Sequence, residues 1–236
     1  MKPRCLISMV VVGSAMGLNV VPPLAADPTR TILYFMRHSE NQTKLNGTGP
    51  GTFVEECNPT RSCCTVVLSP LGLERRDALA GWFVEEKLAR RLTHLIATNK
   101  PRTVQTLEGL ADRTGLAVER APPDTGECAD GFETTTGSKP FAVAAVRDLP
   151  LGSRAVVANH GETLYAVMRE SVGLDTSDPV VFPKQPGSAD RVDGFTHLWV
   201  VEVDAAGQGS LWRHIAFAFE LEGDAHGRRR ARVVGH

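Results

Sequence analysis

The sequence predicts an α/β fold: a three-layer α/β/α sandwich built on a mostly parallel sheet, with helices on both faces and a C-terminal hairpin. Short apolar runs alternate along the chain with segments whose apolar residues recur at helical spacing, a pattern typical of parallel strands joined by helices. Two tetrads, Arg37-His38-Ser39-Glu40 and Asn159-His160-Gly161-Glu162, each follow an apolar run directly. Ligands bind outside the carboxyl ends of strands in such folds, so the two histidines are expected to share one site.

The individual elements follow from composition and from residues that mark helix ends. The predicted strands are residues 31–36, 94–97, 116–119, 154–158, 197–203 and 210–219. The predicted helices are residues 70–88, 101–114, 141–149 and 163–172. Ser69 and Pro70 suit the start of the first helix, and Gly115 and Gly173 suit the ends of the second and fourth. The last two strands are expected to pair as a hairpin around residues 205–209.

The N-terminal segment resembles a secretory signal peptide. Lys2 and Arg4 give a positively charged start, an apolar run follows, and Leu24-Ala25-Ala26 offers small residues for cleavage. The apolar run is shorter than the about 20 residues that span a membrane, and a retained anchor is the alternative. We therefore expect residues 1–26 to be removed, residues 27–236 to form a single domain, and the mature protein to be secreted or periplasmic.

Export changes the interpretation of the cysteines. In an oxidising compartment, an even number of cysteines favours two disulfides over free thiols, with the pairing left open. The four cysteines beyond the leader are Cys57, Cys63, Cys64 and Cys128. A bridge between the neighbours Cys63 and Cys64 would be strained, which favours a bond from Cys128 to one of the other three cysteines. The cysteines fall in two irregular stretches, residues 41–67 and 120–139, and the spacing lacks the close pair typical of zinc sites.

The overall charge limits the partners. A net charge of -1 gives no field that would favour nucleic acid, or a membrane after the signal is cleaved. The basic stretch at residues 228–232 is expected to be a solvated tail, with a contact for polyanions as the alternative.

Four segments, taken in order, resemble the histidine phosphatase superfamily, the phosphoglycerate-mutase-like fold. Met36–Glu40 is similar to its R-H-G/A/S-E signature, and Ser69–Gly72 to its T/S-P-x-G helix start. Lys100–Thr106 is similar to its R-x-x-Q-T segment, and Ala158–Gly161 to its second-histidine strand end. The resemblance implies that this chain binds a small phosphorylated substrate without a cofactor or metal.

The resemblance also implies a role for each site residue. His38 would accept the phosphoryl group as a phosphohistidine, and Arg37, Arg102 and His160 would line the phosphate pocket. Physical chemistry agrees, because arginine binds phosphate bidentately and stabilises the charge of a phosphoryl transition state. A neighbouring arginine also lowers the pKa of a histidine, which leaves a ring lone pair free to attack. A protonated His160 would bind phosphate oxygens.

The proton donor is the least defined part of the predicted site. Some members of the superfamily place an aspartate directly after the second histidine, where this chain has Gly161. Glu162 is our first choice as the acid, and Glu127 and Asp130 are the alternatives. Glu162 would lie at the start of a helix, a position that stabilises a carboxylate.

The leading functional hypothesis is an exported phosphatase that hydrolyses a phosphomonoester through a phosphohistidine on His38. One alternative is a non-catalytic module of the same fold that binds a phosphorylated ligand. Another is a phosphoglycerate-mutase-like phosphotransferase, which fits export poorly. Neither the substrate nor the oligomeric state can be predicted from the sequence.

Overall fold

A computed structural model describes residues 29–39, 67–121, 135–188, 190–223 and 229–235, with the backbone alone for 135–138, 218–223 and 229–235. These residues form seven strands and four α-helices. The strands are β1 (Thr31–Arg37), β2 (His94–Ala97), β3 (Val118–Arg120), β4 (Arg154–Asn159), β5 (His197–Val203), β6 (Gly209–Gly223) and β7 (Arg229–Gly235). The helices are α1 (Pro70–Glu85), α2 (Pro101–Thr114), α3 (Thr135–Arg147) and α4 (Leu164–Val172), with a 3₁₀ turn at Ala89–Arg91.

The strands form one mixed sheet in the order β3-β2-β4-β1-β5-β6-β7. Strands β3, β2, β4 and β1 run parallel to their neighbours. Strands β5, β6 and β7 extend the sheet from β1 in antiparallel fashion. The predicted α/β/α sandwich is confirmed, and its parallel half is the half that carries both tetrads.

The sheet is covered on both faces, because the buried strands carry apolar side chains at alternate positions on each side. In β1, Leu33 and Phe35 pack with α3 and α4, whereas Ile32, Tyr34 and Met36 pack with α1 and α2. Full burial of a side chain of this size contributes about 1.5–3 kcal/mol. The two apolar layers therefore hold β1 and β4 rigidly at the centre of the sandwich.

The helix ends that the sequence marks are confirmed. The Ser69 hydroxyl accepts a hydrogen bond from the backbone N–H of Gly72 at 3.0 Å, so it caps α1, with Pro70 in the first turn. Gly115 ends α2 with φ 73° and Gly173 ends α4 with φ 66°. Residues other than glycine rarely adopt this left-handed backbone conformation.

Two elements differ from the prediction. Helix α3 runs from Thr135 to Arg147, rather than over residues 141–149, and contains Pro140. The basic segment is not a loose tail, because Arg229–Gly235 pairs with β6 as the last strand of the sheet. A charged sequence is compatible with an edge strand, where charges oppose pairing with other chains.

Several predictions fall on residues outside those described. They are the leader at residues 1–26, the four cysteines and their pairing, and the alternative acids Glu127 and Asp130. They stay predictions. Within the described ranges, no helix has both the length and the apolar character needed to cross a membrane.

Candidate active site

Both histidines lie at the carboxyl ends of neighbouring parallel strands. Strands β1 and β4 pair so that Arg37 lies opposite Asn159, and the backbone N–H of His38 donates to the Asn159 carbonyl at 3.0 Å. This register places the His38 and His160 rings with centroids 5.5 Å apart, inclined by 66°. The two residues are only 3% and 1% exposed. The structure therefore brings together the two residues on which the sequence prediction depends.

Arg102 joins the two imidazoles. It occupies the first turn of α2, directly after Pro101, and α2 follows the neighbouring strand β2. Its Nε lies 3.3 Å from His38 Nε2, and its Nη2 lies 3.3 Å from His160 Nδ1. A guanidinium only donates, so in both contacts the ring nitrogen offers a lone pair.

The hydrogen bonds of His38 define its tautomer. Its Nδ1 lies 2.6 Å from the backbone carbonyl of Ser39, which only accepts, so the proton is on Nδ1. The Ser39 N–H in turn donates to the Thr106 hydroxyl at 2.9 Å, which holds this carbonyl in place. Burial lowers the pKa of His38 to about 3, and the charge of Arg102 acts in the same direction. His38 is therefore neutral at ordinary pH, with its Nε2 lone pair facing Arg102.

A chain of hydroxyls sets the second imidazole. The Thr103 hydroxyl donates to backbone carbonyls, and Thr98 donates to the Thr103 oxygen at 2.8 Å. The Thr98 oxygen is then the acceptor for His160 Nε2 at 3.0 Å, which leaves Nδ1 facing Arg102. Burial, followed by the charge of Arg102, lowers the pKa of His160 well below its ordinary value. A phosphate beside the ring is the kind of charge that would favour its protonated form.

Arg37 is held by the loop that precedes β5. Its Nη1 donates to the carbonyls of Val192 and Gly194 at 3.1 and 3.0 Å, and its guanidinium carbon lies 3.9 Å from the centre of the Phe195 ring. Its Nε faces Gly161, where a Cβ atom would come within 2.9 Å. A side chain at position 161 would therefore require Arg37 to shift.

Glu162 lies at the mouth of this group of residues. It is exposed, in the turn before α4, and its Oε1 lies 3.3 Å from Arg191 Nη2. Its charge raises the pKa of Arg37, opposing the larger lowering by burial. The contact with Arg191 holds the Glu162 side chain at this position beside the histidines.

Sequence reasoning missed several supporting residues. Gln105 accepts a hydrogen bond from the Leu68 N–H at 2.9 Å, and Thr106 supports Ser39, so the glutamine and threonine of R-x-x-Q-T tie the segments around Arg102 together. Thr98 could have been suspected from its place at the end of β2. Arg191 lies in a long loop, where no periodic pattern indicates its position. Among the described residues, no three His, Cys, Asp or Glu side chains are grouped as a metal site requires.

The electrostatics of His38 lead to a spectroscopic prediction. In protein labelled with ¹⁵N-histidine, His38 should remain neutral with its proton on Nδ1 from about pH 8 to about pH 5, because its pKa is about 3. The variant Arg102→Gln should raise that pKa, since Arg102 is the largest cause after burial. An imidazolium at position 38 near neutral pH in the parent protein would contradict the assignment.

Comparison with known proteins identifies the fold. No family model matches the sequence, and no curated protein matches it. Among solved structures, the protein histidine phosphatase SixA complexed with tungstate has a TM-score of 0.50 at 17% identity, covering 78% of this chain and 96% of that one.

Two further solved structures are less similar. A SixA protein of Agrobacterium tumefaciens has a TM-score of 0.49 at 14% identity, covering 80% of this chain and 99% of that one. The phosphoglycerate mutase of Plasmodium falciparum has a TM-score of 0.46 at 12% identity, covering 78% and 90%. The comparison with SixA at a TM-score of 0.50 confirms the architecture that the sequence predicts, and the fold of this chain is similar to that of this histidine phosphatase.

Proposed function

We propose that this protein is an exported phosphatase that hydrolyses a phosphomonoester through a phosphohistidine on His38. The observation that carries the proposal is the contact between His38 Nε2 and Arg102 Nε at 3.3 Å. It places a neutral, unprotonated ring nitrogen beside a permanent cation. A nucleophile for phosphorus and a guanidinium for the phosphate oxygens are thus adjacent, as phosphoryl transfer requires.

In the first step, the Nε2 lone pair of His38 attacks phosphorus while the bond from phosphorus to the ester oxygen breaks. The bond from His38 Nδ1 to the Ser39 carbonyl, at 2.6 Å, holds the ring in place and stabilises the positive charge that it acquires. The electron pair of the broken bond goes to the leaving oxygen, which takes a proton from Glu162 as the alcohol departs.

In the second step, water attacks the phosphohistidine and the nitrogen–phosphorus bond breaks, returning the lone pair to Nε2. Glu162, now a carboxylate, accepts the proton of the water. Inorganic phosphate and the original form of the site result, so no other reactant is needed. Glu162 acts as an acid in the first step and as a base in the second, as microscopic reversibility leads one to expect.

The cations have distinct tasks in this proposal. Arg102 contacts both imidazoles and binds the phosphoryl oxygens between them. In Arg37, Nη1 is occupied by two carbonyls and Nε faces Gly161, which leaves Nη2 for the phosphate. His160 Nδ1 points to the same space. The charge of the bound dianion favours the protonated ring, and in that form Nδ1 donates to a phosphate oxygen.

The nucleophile can be tested with p-nitrophenyl phosphate. The variant His38→Ala should lose at least about a thousandfold in kcat/KM, because it removes the nitrogen that attacks phosphorus in the first step. The matched control is His94→Ala, which removes a histidine at the opposite end of the parallel strands and should retain activity. Equal rates for His38→Ala and the parent protein would exclude this mechanism.

The intermediate has its own signature. Brief incubation with a ³²P-labelled phosphomonoester should leave label on the parent protein that survives alkali and is lost in acid, as expected for a phosphorus–nitrogen bond. His38→Ala should remain unlabelled.

The acid is tested by comparing leaving groups. Glu162→Gln should slow the hydrolysis of alkyl phosphates by about 10²- to 10⁴-fold, because an alkoxide leaves poorly without a proton. The same variant should affect p-nitrophenyl phosphate much less, because its leaving group needs little protonation. An equal loss of rate on both substrates would show that Glu162 is not the proton donor. Glu127 and Asp130 would then be the next acids to replace.

The ion pair between Glu162 and Arg191 favours one other function. It engages the acid proposed as proton donor with a cation, which suits a module that binds a phosphorylated ligand without turnover. Such a module would bind inorganic phosphate through Arg102 and yet show no activity in the p-nitrophenyl phosphate test.

Export is part of the proposal and rests on the leader-like first 26 residues. When the full chain is expressed in a bacterium, the protein recovered outside the cytoplasm should begin near residue 27. Intact-mass measurement checks this, and substituting Lys2 and Arg4 by Glu should reduce the exported fraction, because the leader needs a positive start. Full-length protein confined to the cytoplasm would contradict it.

A further inference from the structure

A third arginine lies beside the pocket, on a short hairpin that sequence reasoning did not assign. Residues 184 and 192 form an antiparallel bridge, and the backbone N–H of Gln185 donates to the Arg191 carbonyl at 2.8 Å. The Arg191 N–H donates to the Ser188 hydroxyl at 3.1 Å. The backbone of Arg191 is therefore held in place by hydrogen bonds to Gln185 and Ser188.

The same hairpin is fixed to the active-site residues. The Val192 N–H donates to the Gly161 carbonyl at 2.9 Å, and the Val192 carbonyl accepts from Arg37 at 3.1 Å. Arg191 immediately precedes these two contacts along the chain. Its position at the rim of the pocket is thus set by the backbone that also orients Arg37.

The side chain of Arg191 has only one acidic partner among the described residues. Its Nη2 lies 3.3 Å from Glu162, both side chains are about half exposed, and its Nε is buried without a hydrogen-bond partner. An ion pair this exposed contributes little to stability, so an incoming anion can replace it at little cost. The positive charge of Arg191 also reaches the catalytic group, since it lowers the pKa of His38.

We propose that Arg191 is a specificity-determining residue that binds a second anionic group of the substrate, taking it in exchange for Glu162. The inference rests on the proposed phosphatase function and names its substrate class: a phosphomonoester with a carboxylate or second phosphate near the scissile one. Capture of that anion by Arg191 releases Glu162 from the ion pair and frees its side chain to approach the leaving oxygen. Substrate recognition and proton donation are coupled in this way.

The test measures binding, so that it does not depend on turnover. Three ligands share a two-carbon skeleton: 2-phosphoglycolate, ethane-1,2-diol bisphosphate and 2-hydroxyethyl phosphate, of which only the last lacks a second anion. Calorimetry on the full chain carrying His38→Ala, which would block hydrolysis, should give about ten- to hundredfold tighter binding for the better of the two doubly anionic ligands. Which of the two binds more tightly identifies the second group as a carboxylate or a phosphate.

Three further substitutions in that background make the result specific. Arg191→Gln should reduce the preference to within about threefold. Arg169→Gln should leave the preference intact, because it breaks a similar ion pair with the neighbouring residue Asp190 at 2.9 Å without removing the rim cation. Glu162→Gln should strengthen binding of the doubly anionic ligand, because it removes the competing carboxylate, an effect that a merely structural role for Arg191 would not produce.

The outcomes separate the two proposals. Absence of the preference, or its survival in Arg191→Gln, overturns the role of Arg191 whether or not the protein is a phosphatase. Loss of the preference in Arg169→Gln as well would show that the effect is structural and overturns it too. If instead the preference depends on Arg191 but p-nitrophenyl phosphate is not hydrolysed, the recognition site stands and the phosphatase mechanism fails.

Discussion

The parallel pairing of β1 with β4 is the constraint on which the rest of the site depends. It sets Arg37 opposite Asn159 and joins the His38 backbone to the Asn159 carbonyl, so the imidazole that follows each strand emerges at the same edge. A shift of one residue in either strand would turn its side chains to the opposite face and separate the rings. The alternating apolar layers on both faces of β1 and β4 make such a shift costly. Packing of the core thus fixes the distance between the His38 and His160 rings.

Sequence reasoning succeeded where chemistry depends on local pattern. His38, His160 and Arg102 each lie just after a strand or in a proline-marked first helical turn, so their meeting point follows from the topology rule for α/β sheets. Arg191 and Phe195 were missed because they reach the site through a loop whose path is set by individual hydrogen bonds. The strand β7 was missed for a different reason: its basic composition resembles a solvated tail, and only its pairing with β6 reveals a strand.

Burial and neighbouring cations keep the two histidines of the site neutral. Burial and Arg102 are the first two causes of the lowered pKa of both rings. The arrangement disfavours proton binding at the nitrogens that face Arg102 and favours any dianion that enters between them. It also makes the fold sensitive to acid, because the unfolded chain takes up protons near the ordinary pKa of 6.5 whereas folded His38 does so only near 3. Stability from this residue is therefore complete above pH 6.5 and lost as the pH falls towards 3.

The absence of a side chain at Gly161 affects where Arg37 packs and where an acid can lie in the site. Arg37 occupies the space that a side chain at this position would need, with its Nε 2.9 Å from the ideal Cβ. An acid directly after the second histidine would require Arg37 to move, whereas the next residue, Glu162, is exposed and contacts Arg191. The proton donor proposed for this chain is thus placed at the rim, beside a cation that a substrate can occupy. The glycine therefore allows Arg37 to pack against position 161 inside the site. The proposed acid lies outside, where a substrate anion can compete with it for Arg191.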